Sequence, residues 1–288
     1  MNSGAASPNA QRIRGARLGA AGLRAGFASV CAWALSVACA VPPPASPFPS
    51  ARVAIDRMRE LHACSRALRG EARLDYFDAD GRFRVKTLFI TEHPMNVRFD
   101  LFSPFGQTLI TLTANGKDFA LLDQEQKQYF VGNAAQCNVE RFLKVPIPPA
   151  ALVQLLAGEA PILLHEPSAA RIEWDDGHYV LYITGKHRAS QRVVLELVEA
   201  DLNKPYSEQR VRVVEVAVSQ AGVELYRAEL EDHAPAPTAK PRLDPEGIEA
   251  PVNPSGPPCR AELPRRIRFV VPLAERDVLF EQTDLAHN

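Results

Sequence analysis

The sequence has little that would support catalysis or metal binding. Cysteine is scarce, with 5 in 288 residues, and it shows neither a Cys-x-x-Cys pair nor a paired-histidine spacing. The 7 histidines are scattered, and none falls in a nucleophile motif. The formal net charge is -1, so no basic excess is available to attract a nucleic acid. These absences predict a protein that is not an enzyme, needs no metal or cofactor, and does not bind nucleic acid.

The N-terminus has the composition of a processing segment. Residues 25–38 form an uncharged, apolar run that is shorter than the roughly 20 residues of a membrane-spanning helix. Four arginines and no acidic residue precede it: Arg12, Arg14, Arg17 and Arg24. Because a basic segment followed by a short apolar run is typical of secretory signals, we expect residues 1–38 to be a signal peptide.

The end of this run, Leu35-Ser36-Val37-Ala38-Cys39, resembles the lipobox of bacterial lipoproteins. The resemblance implies that the thiol of Cys39 is acylated, for example with palmitate, and that the protein is anchored in the outer membrane. A plain secretory signal cleaved nearby is the alternative. Residues 39–50 are rich in proline, which predicts an extended, semi-rigid tether behind the lipid anchor.

Residues 51–282 show the patterns of one folded domain. Residues 51–68 have the apolar spacing of an amphipathic helix. Apolar and polar residues then alternate in short runs from 71 to 131, with turn signals between them. Alternating runs resume at 171, and residues 232–258 form a Pro-rich excursion before two last strands. We therefore predict a mainly antiparallel β (α+β) domain in which sequential strands pair up and down.

Two short helices are expected to interrupt this meander. The rigid segment 145–149 separates them, and the second helix carries Leu152, Leu155 and Leu156 before Gly158 ends it. Because both helices are very apolar, we interpret them as a lid over one face of the sheet.

The hairpin formed by residues 96–113 places an aromatic residue where small polar residues are usual. Phe105 lies in the tight connection Ser103-Pro104-Phe105-Gly106. A large apolar side chain at a turn either folds back onto the sheet or meets an apolar phase outside the protein.

Three cysteines remain outside the N-terminal segment. An exported domain with cysteines suggests a disulfide, and the pair favoured by no more than its position is Cys64 with Cys137, which would tie the first helix to the lid. Cys259 could equally pair with either one, and one cysteine stays unpaired in every case.

Three segments resemble the LolA/LolB-like family of lipoprotein carriers, and its LolB branch most. They are the turn and strand at 103–109, the run 119–123 followed by Tyr129, and the segment 142–148 with the leucine-rich helix behind it. The third segment is similar to the Gly-Met-Pro-Ile-Pro connection and lid helix of LolB. The resemblance covers about residues 53 to 231 and 262 to 282.

The resemblance implies an open up-and-down half-barrel with an N-terminal helix and a two-helix lid. It further implies a cavity for the acyl chains of lipoproteins, which a periplasmic carrier protein would deliver. The side chains expected in the cavity and lid are Phe89, Val97, Phe99, Leu101, Ile110, Leu112, Leu152, Leu155 and Leu156. Phe105 matches the protruding leucine of the LolB turn, which implies a membrane-insertion tip.

Two alternatives stay open from the sequence. The apolar strand residues would equally suit a filled core without a cavity. The same sheet could also serve a structural or assembly lipoprotein of the envelope that binds a protein partner.

Overall fold

The computed structural model describes residues 41–79, 81–241, 256 and 259–287. The predicted signal peptide, Cys39 and its acylation, and most of the second half of the Pro-rich excursion lie outside the described residues. In the described part, no helix has the length and hydropathy of a membrane span.

Helices are few and short. They are α1 (Ala51–His62), α2 (Gln136–Leu143) and α3 (Pro149–Leu156). The strands are β1 (Ala67–Asp78), β2 (Gly81–Glu92), β3 (Asn96–Phe102), β4 (Thr108–Ala114), β5 (Asp118–Asp123), β6 (Gln128–Asn133), β7 (Ala170–Asp175), β8 (His178–Thr184), β9 (Ala189–Leu197), β10 (Val211–Gln220), β11 (Val223–Glu231), β12 (Ala234–Pro235), β13 (Glu262–Leu263), β14 (Arg266–Val271) and β15 (Arg276–His287).

One large open antiparallel sheet contains all strands except β12 and β13, as the alternating runs predict. Its order is β6-β5-β4-β3-β2-β1-β15-β14-β11-β10-β9-β8-β7. The sheet is mostly a meander, because short turns join neighbours in the chain. The last two strands were expected to complete the sheet, but they lie in its centre. β15 pairs with β1, with Leu74 opposite Phe280 and Tyr76 opposite Val278.

The inner face of the sheet holds the core. Alternate residues of each strand point inward, and α1 and α3 pack on that face. The rings of Phe89, Phe99 and Phe280 lie 5.5 to 6.2 Å apart, which is ordinary contact for aromatic side chains. The outer face carries cross-strand ion pairs such as Arg73 with Glu281, which suit a surface in water.

Helix α1 is shorter than the predicted 51–68. Ser50 caps it by accepting a hydrogen bond from Val53 N at 3.4 Å, and it ends at His62. Leu68 has the right spacing for the helix, but it lies in β1 and points into the core. A single inward leucine fits the period of a helix and that of a strand equally well, so helical spacing alone could not place the end of α1.

The predicted tether is partly docked on the domain. Trp174 Nε1 donates to the carbonyl of Val41 at 2.9 Å, and Ala45 N donates to the carbonyl of Leu202 at 3.1 Å. Phe48 is buried, and its ring lies 4.9 Å from that of Tyr179. From residue 41 onward this segment therefore belongs to the fold instead of hanging freely from it.

The favoured disulfide is wrong. Cys64 is joined to Cys259, the alternative partner, whereas Cys137 is free and exposed. The bond ties the end of α1 to the far side of the Pro-rich excursion. Sequence could not decide this, because the pairing depends on where the excursion returns to the sheet. Part of the excursion is itself structured, since Ala234–Pro235 pairs with Glu262–Leu263.

Candidate functional site

An open cavity of about 680 Å³ lies on the inner face of the sheet, between β1–β6, β15 and α2. Its wall is mainly apolar: Leu74, Tyr76, Phe83, Leu101, Leu109, Ile110, Phe119, Leu121, Phe130, Val131 and Val278. Its polar lining comes from the β5–β6 hairpin and from α2 and the residue after it: Asp123, Glu125, Gln126, Gln128, Asn138 and Lys144. A cavity of this size with apolar walls and a polar border suits an apolar ligand.

The strand register explains how these side chains meet. Ile110 on β4 stands beside Leu101 on β3, and Leu112 pairs with Leu121 on β5, which in turn pairs with Phe130 on β6. The row of inward side chains continues to the edge strand β6, and among the described residues α2 borders its last part but does not cover it as α3 covers the centre. Apolar side chains that would be core elsewhere therefore face an open space here.

The cavity is not where the sequence places it. It was expected beneath Leu152 and Leu155, but these residues and Leu156 are at most 2% exposed and belong to the packed core. Phe99 and Leu112 lie in the same core, as do Phe89 and Val97. Of the predicted cavity residues, Leu101 and Ile110 line the open cavity described above. The alternative of a filled core is thus correct for the space under α3.

The two predicted lid helices consequently differ in role. α3 is a core helix, with Leu155 fully buried. α2 borders the cavity through Asn138 and Lys144. Arg276 at the start of β15 lies 3.5 Å from Glu140 of α2 and 3.4 Å from the carbonyl of Lys144, so polar contacts hold α2 to the sheet.

Several cavity residues were not predicted as site residues. Leu121 and Phe130 carry a usable signal, because aligning the meander β4–β5–β6 by its turns places Leu121 beside Leu112 and Phe130 beside Leu121. Val278 carries no such signal in the sequence, because only the pairing of β15 with β1 brings it to this site.

One polar pair stands at the inner wall. The hydroxyl of Tyr76 donates to a carboxylate oxygen of Asp78. Burial raises the pKa of Tyr76, and this hydrogen bond to Asp78 adds to the increase. Tyr76 is therefore neutral under ordinary conditions and contributes a mostly apolar ring to the wall.

Phe105 is fully presented to the outside, with 93% of its surface exposed. The side chain of Ser103 holds the turn by accepting hydrogen bonds from the backbone N–H of Phe105 and Gln107 at 3.3 and 3.1 Å. Gly106 has φ +82°, a conformation that favours glycine. The turn is thus a formed structure that projects the ring, and it does not fold back onto the sheet.

Comparison with known proteins agrees with this architecture. The sequence profile of a family described as "Outer membrane lipoprotein LolB" matches residues 71–191. This segment is LolB-like. The resemblance predicted from the sequence is therefore confirmed over the part of the chain that contains most of β1, all of β2–β8, both α2 and α3, and all cavity residues except Val278. No curated protein sequence matches the chain.

Three solved structures are similar in fold. A LolA superfamily protein from Nitrosomonas europaea shares 12% identity with a TM-score of 0.48, covering 84% of this chain and 94% of that one. A DUF1329 family protein from Desulfovibrio piger shares 9% identity with a TM-score of 0.50, covering 82% and 92%. A domain described as an outer membrane lipoprotein-sorting protein from Vibrio parahaemolyticus shares 10% identity with a TM-score of 0.48, covering 82% and 91%. At such identities the likeness concerns the fold alone.

In the described residues, no group of His, Cys, Asp and Glu side chains is placed to hold a metal ion.

Proposed function

We propose that this protein is an outer-membrane lipoprotein that receives other lipoproteins by binding their acyl chains and helps to localise and insert them. A role in lipoprotein localisation is supported by the LolB-like segment. The observation that carries the finer proposal is the apolar cavity of about 680 Å³, almost all of whose lining lies within that segment.

The physical argument concerns the exposure of apolar surface to water. Apolar side chains left open on the inner face are costly in water, at roughly 25 cal/mol per Å² of apolar surface, and an acyl chain would cover them. Transfer of a bound acyl chain from a carrier to a membrane requires only differences in affinity. The proposed role therefore needs no catalytic group, and the partners are lipoprotein acyl chains, a periplasmic carrier protein and the membrane.

Anchoring belongs to the same proposal. Acylation of Cys39 would hold the domain at the outer membrane, facing the periplasm. Phe105 would then act as an apolar tip that inserts into lipid, because its ring is exposed on a turn of fixed geometry.

Filling the cavity is expected to abolish most of the binding. Leu121→Trp places a bulky ring in the cavity, so the affinity for palmitate should fall by roughly tenfold or more. Leu122→Trp is the matched control, because Leu122 is the next residue of β5, points to the outer face and is 40% exposed. Displacement of a fluorescent fatty acid by palmitate measures both affinities.

An unchanged palmitate affinity in Leu121→Trp would contradict the assignment of this cavity. An equal loss in Leu122→Trp would also contradict it, since that side chain cannot reach the cavity from the other face.

A second candidate function rests on the edge strand β6. Every residue of Gln128–Asn133 is exposed and none is charged, whereas the other edge strand, β7, carries Arg171, Glu173 and Asp175. Uncharged edge strands are suited to pairing with a strand of another protein. A chain that binds no palmitate but captures an envelope protein through β6 would favour this role of a structural or assembly lipoprotein.

A further inference from the structure

The exposed apolar residues of the chain are not spread evenly over its surface. Among the described residues, the three large apolar side chains with the highest exposure are Phe105 at 93%, Leu164 at 73% and Leu273 at 71%. They come from distant parts of the sequence, and none of them fits the usual preference for polar residues in connections.

The antiparallel topology brings all three to the same end of the sheet. Strand directions alternate across the sheet, so the connections β1–β2, β3–β4, β5–β6, β8–β9, β10–β11 and β14–β15 lie at one end, which we call the rim. Phe105 lies in the β3–β4 connection and Leu273 in the β14–β15 connection. Leu164 precedes β7, and its carbonyl lies beside Gly185 of the β8–β9 connection.

Two of these tips are locally rigid. Pro104 precedes Phe105, and Pro272 precedes Leu273 in a one-turn 3₁₀ helix closed by Glu275 N donating to the carbonyl of Pro272 at 3.1 Å. Because the backbone of these connections is already fixed, little conformational entropy is lost when such a side chain enters an apolar phase.

The opposite end of the sheet looks different. Val41 is docked there beside the β7–β8 turn and is 48% exposed, while Met95 and Tyr206, in other connections of that end, are each 38% exposed. The cavity, in contrast, includes residues of the β5–β6 connection and therefore reaches the rim.

We propose that the rim is a lipid-contacting surface on which Leu164 and Leu273 are contact points in addition to Phe105. The partner is a bilayer surface and not a protein, because the three tips sit on separate connections spread over both halves of the sheet. A bilayer accepts isolated apolar side chains at any spacing, whereas a protein partner needs a continuous complementary surface. Lys186 and Arg188 are exposed beside Leu164, but Glu166 and Glu275 offset them, so the apolar tips carry the contact.

This inference rests on the proposed function and deepens it. Acyl chains bound in the cavity would lie next to the rim, so contact of the rim with a bilayer would put them at the lipid surface without exposure to water.

The test uses the mature chain without the predicted signal peptide 1–38 and with Cys39→Ala, so that neither that apolar run nor a covalent lipid contributes, and vesicles of phosphatidylethanolamine with phosphatidylglycerol. Leu273→Glu, Leu164→Glu and Phe105→Glu are each expected to reduce the bound fraction in flotation, with affinity lower by roughly tenfold per substitution. Ile90→Glu is the matched control, because Ile90 is 54% exposed but lies on the outer wall of the sheet, away from the rim. It is expected to leave binding unchanged.

The proposal is overturned if the parent chain does not bind vesicles, if Phe105→Glu alone weakens binding, or if Ile90→Glu weakens it as much as the rim substitutions do. Leu273→Trp gives an independent readout, since a blue shift of tryptophan emission on addition of vesicles is expected and an unchanged spectrum would contradict the rim contact.

Palmitate binding is measured in parallel on the same variants. If the parent binds no palmitate, the cavity function is rejected, and the vesicle result alone decides whether the rim contacts lipid.

Discussion

Loss of the Cys64–Cys259 disulfide is expected to lower the free energy of unfolding by about 3–5 kcal/mol. The two cysteines are 195 residues apart, so the bond closes a loop that spans most of the domain. A long loop has high entropy in the unfolded chain, and cross-linking removes it. The bond also keeps the return from the Pro-rich excursion against the end of α1.

The measurement is urea unfolding of Cys64→Ser, Cys259→Ser and the parent, with and without a reducing agent. Reduction is expected to destabilise the parent but neither variant. Cys137→Ser is the matched control, because Cys137 is exposed and unpaired and its removal should change stability by less than about 0.5 kcal/mol. An identical urea midpoint of the parent with and without reducing agent would show that the bond contributes nothing to the free energy of unfolding.

Neutralising Asp201 is expected to cost about 2–4 kcal/mol. Its side chain is fully buried at 0% exposure and accepts hydrogen bonds from Arg210 N at 3.0 Å and Arg210 Nε at 2.7 Å, while Lys204 Nζ lies at 2.6 Å. These contacts organise the connection between β9 and β10, which also supplies the carbonyl of Leu202 that receives Ala45 N. Asp201→Asn keeps the shape but loses the charge, so the donors of Arg210 and Lys204 lose their charged acceptor.

Asp201 also predicts a pH dependence. Hydrogen bonds from Arg210 hold the pKa of this carboxyl well below its usual range, although burial acts in the opposite direction. A carboxyl whose folded pKa is lowered adds stability above its unfolded pKa of about 3.9, and this stability is lost as the pH falls further. The difference in unfolding free energy between the parent and Asp201→Asn should therefore be constant near neutral pH and shrink below about pH 4.

Chemical denaturation at several pH values measures this difference. Asp56→Asn is the matched control, since Asp56 is 61% exposed and its pairing with Arg52 at 3.7 Å is worth little in water. A difference between the parent and Asp201→Asn that stays constant down to pH 2 would contradict the assignment.

Much of the architecture follows from the sequence alone. Strict alternation in runs such as 83–89 and 97–101 specifies which side chains share a face, because successive residues of a strand point to opposite sides. Turn residues between the runs specify that neighbours in the chain pair antiparallel. The break at 145–149 separates the two helices correctly, and the tight turn at Phe105 limits its ring to two positions, on the sheet or outside the protein, between which the structure decides.

Tertiary structure alone decided where the inner face is filled and where it is open. Phe99 on β3 and Leu121 on β5 are both inward apolar residues of alternating strands, and no local pattern tells that the first is buried and the second lines the cavity. They differ because α3 covers the centre of the sheet while the edge formed by β4–β6 extends beyond it. The cavity therefore exists because α3 covers only part of the inner face of the sheet.

Long-range pairing decided the remaining features in the same way. The meander pattern describes contacts between neighbours in the chain, but the pairing of β1 with β15 and the bond between Cys64 and Cys259 join residues about 200 positions apart. Leu164 and Leu273 share one end of the sheet with Phe105 because the pairing of β1 with β15 sets the directions of the two halves of the sheet relative to each other. The sequence by itself determined the faces of the strands and the presence of an aromatic residue in the β3–β4 turn. The tertiary structure decided the cavity, the disulfide and the rim, because each depends on elements that are distant in sequence.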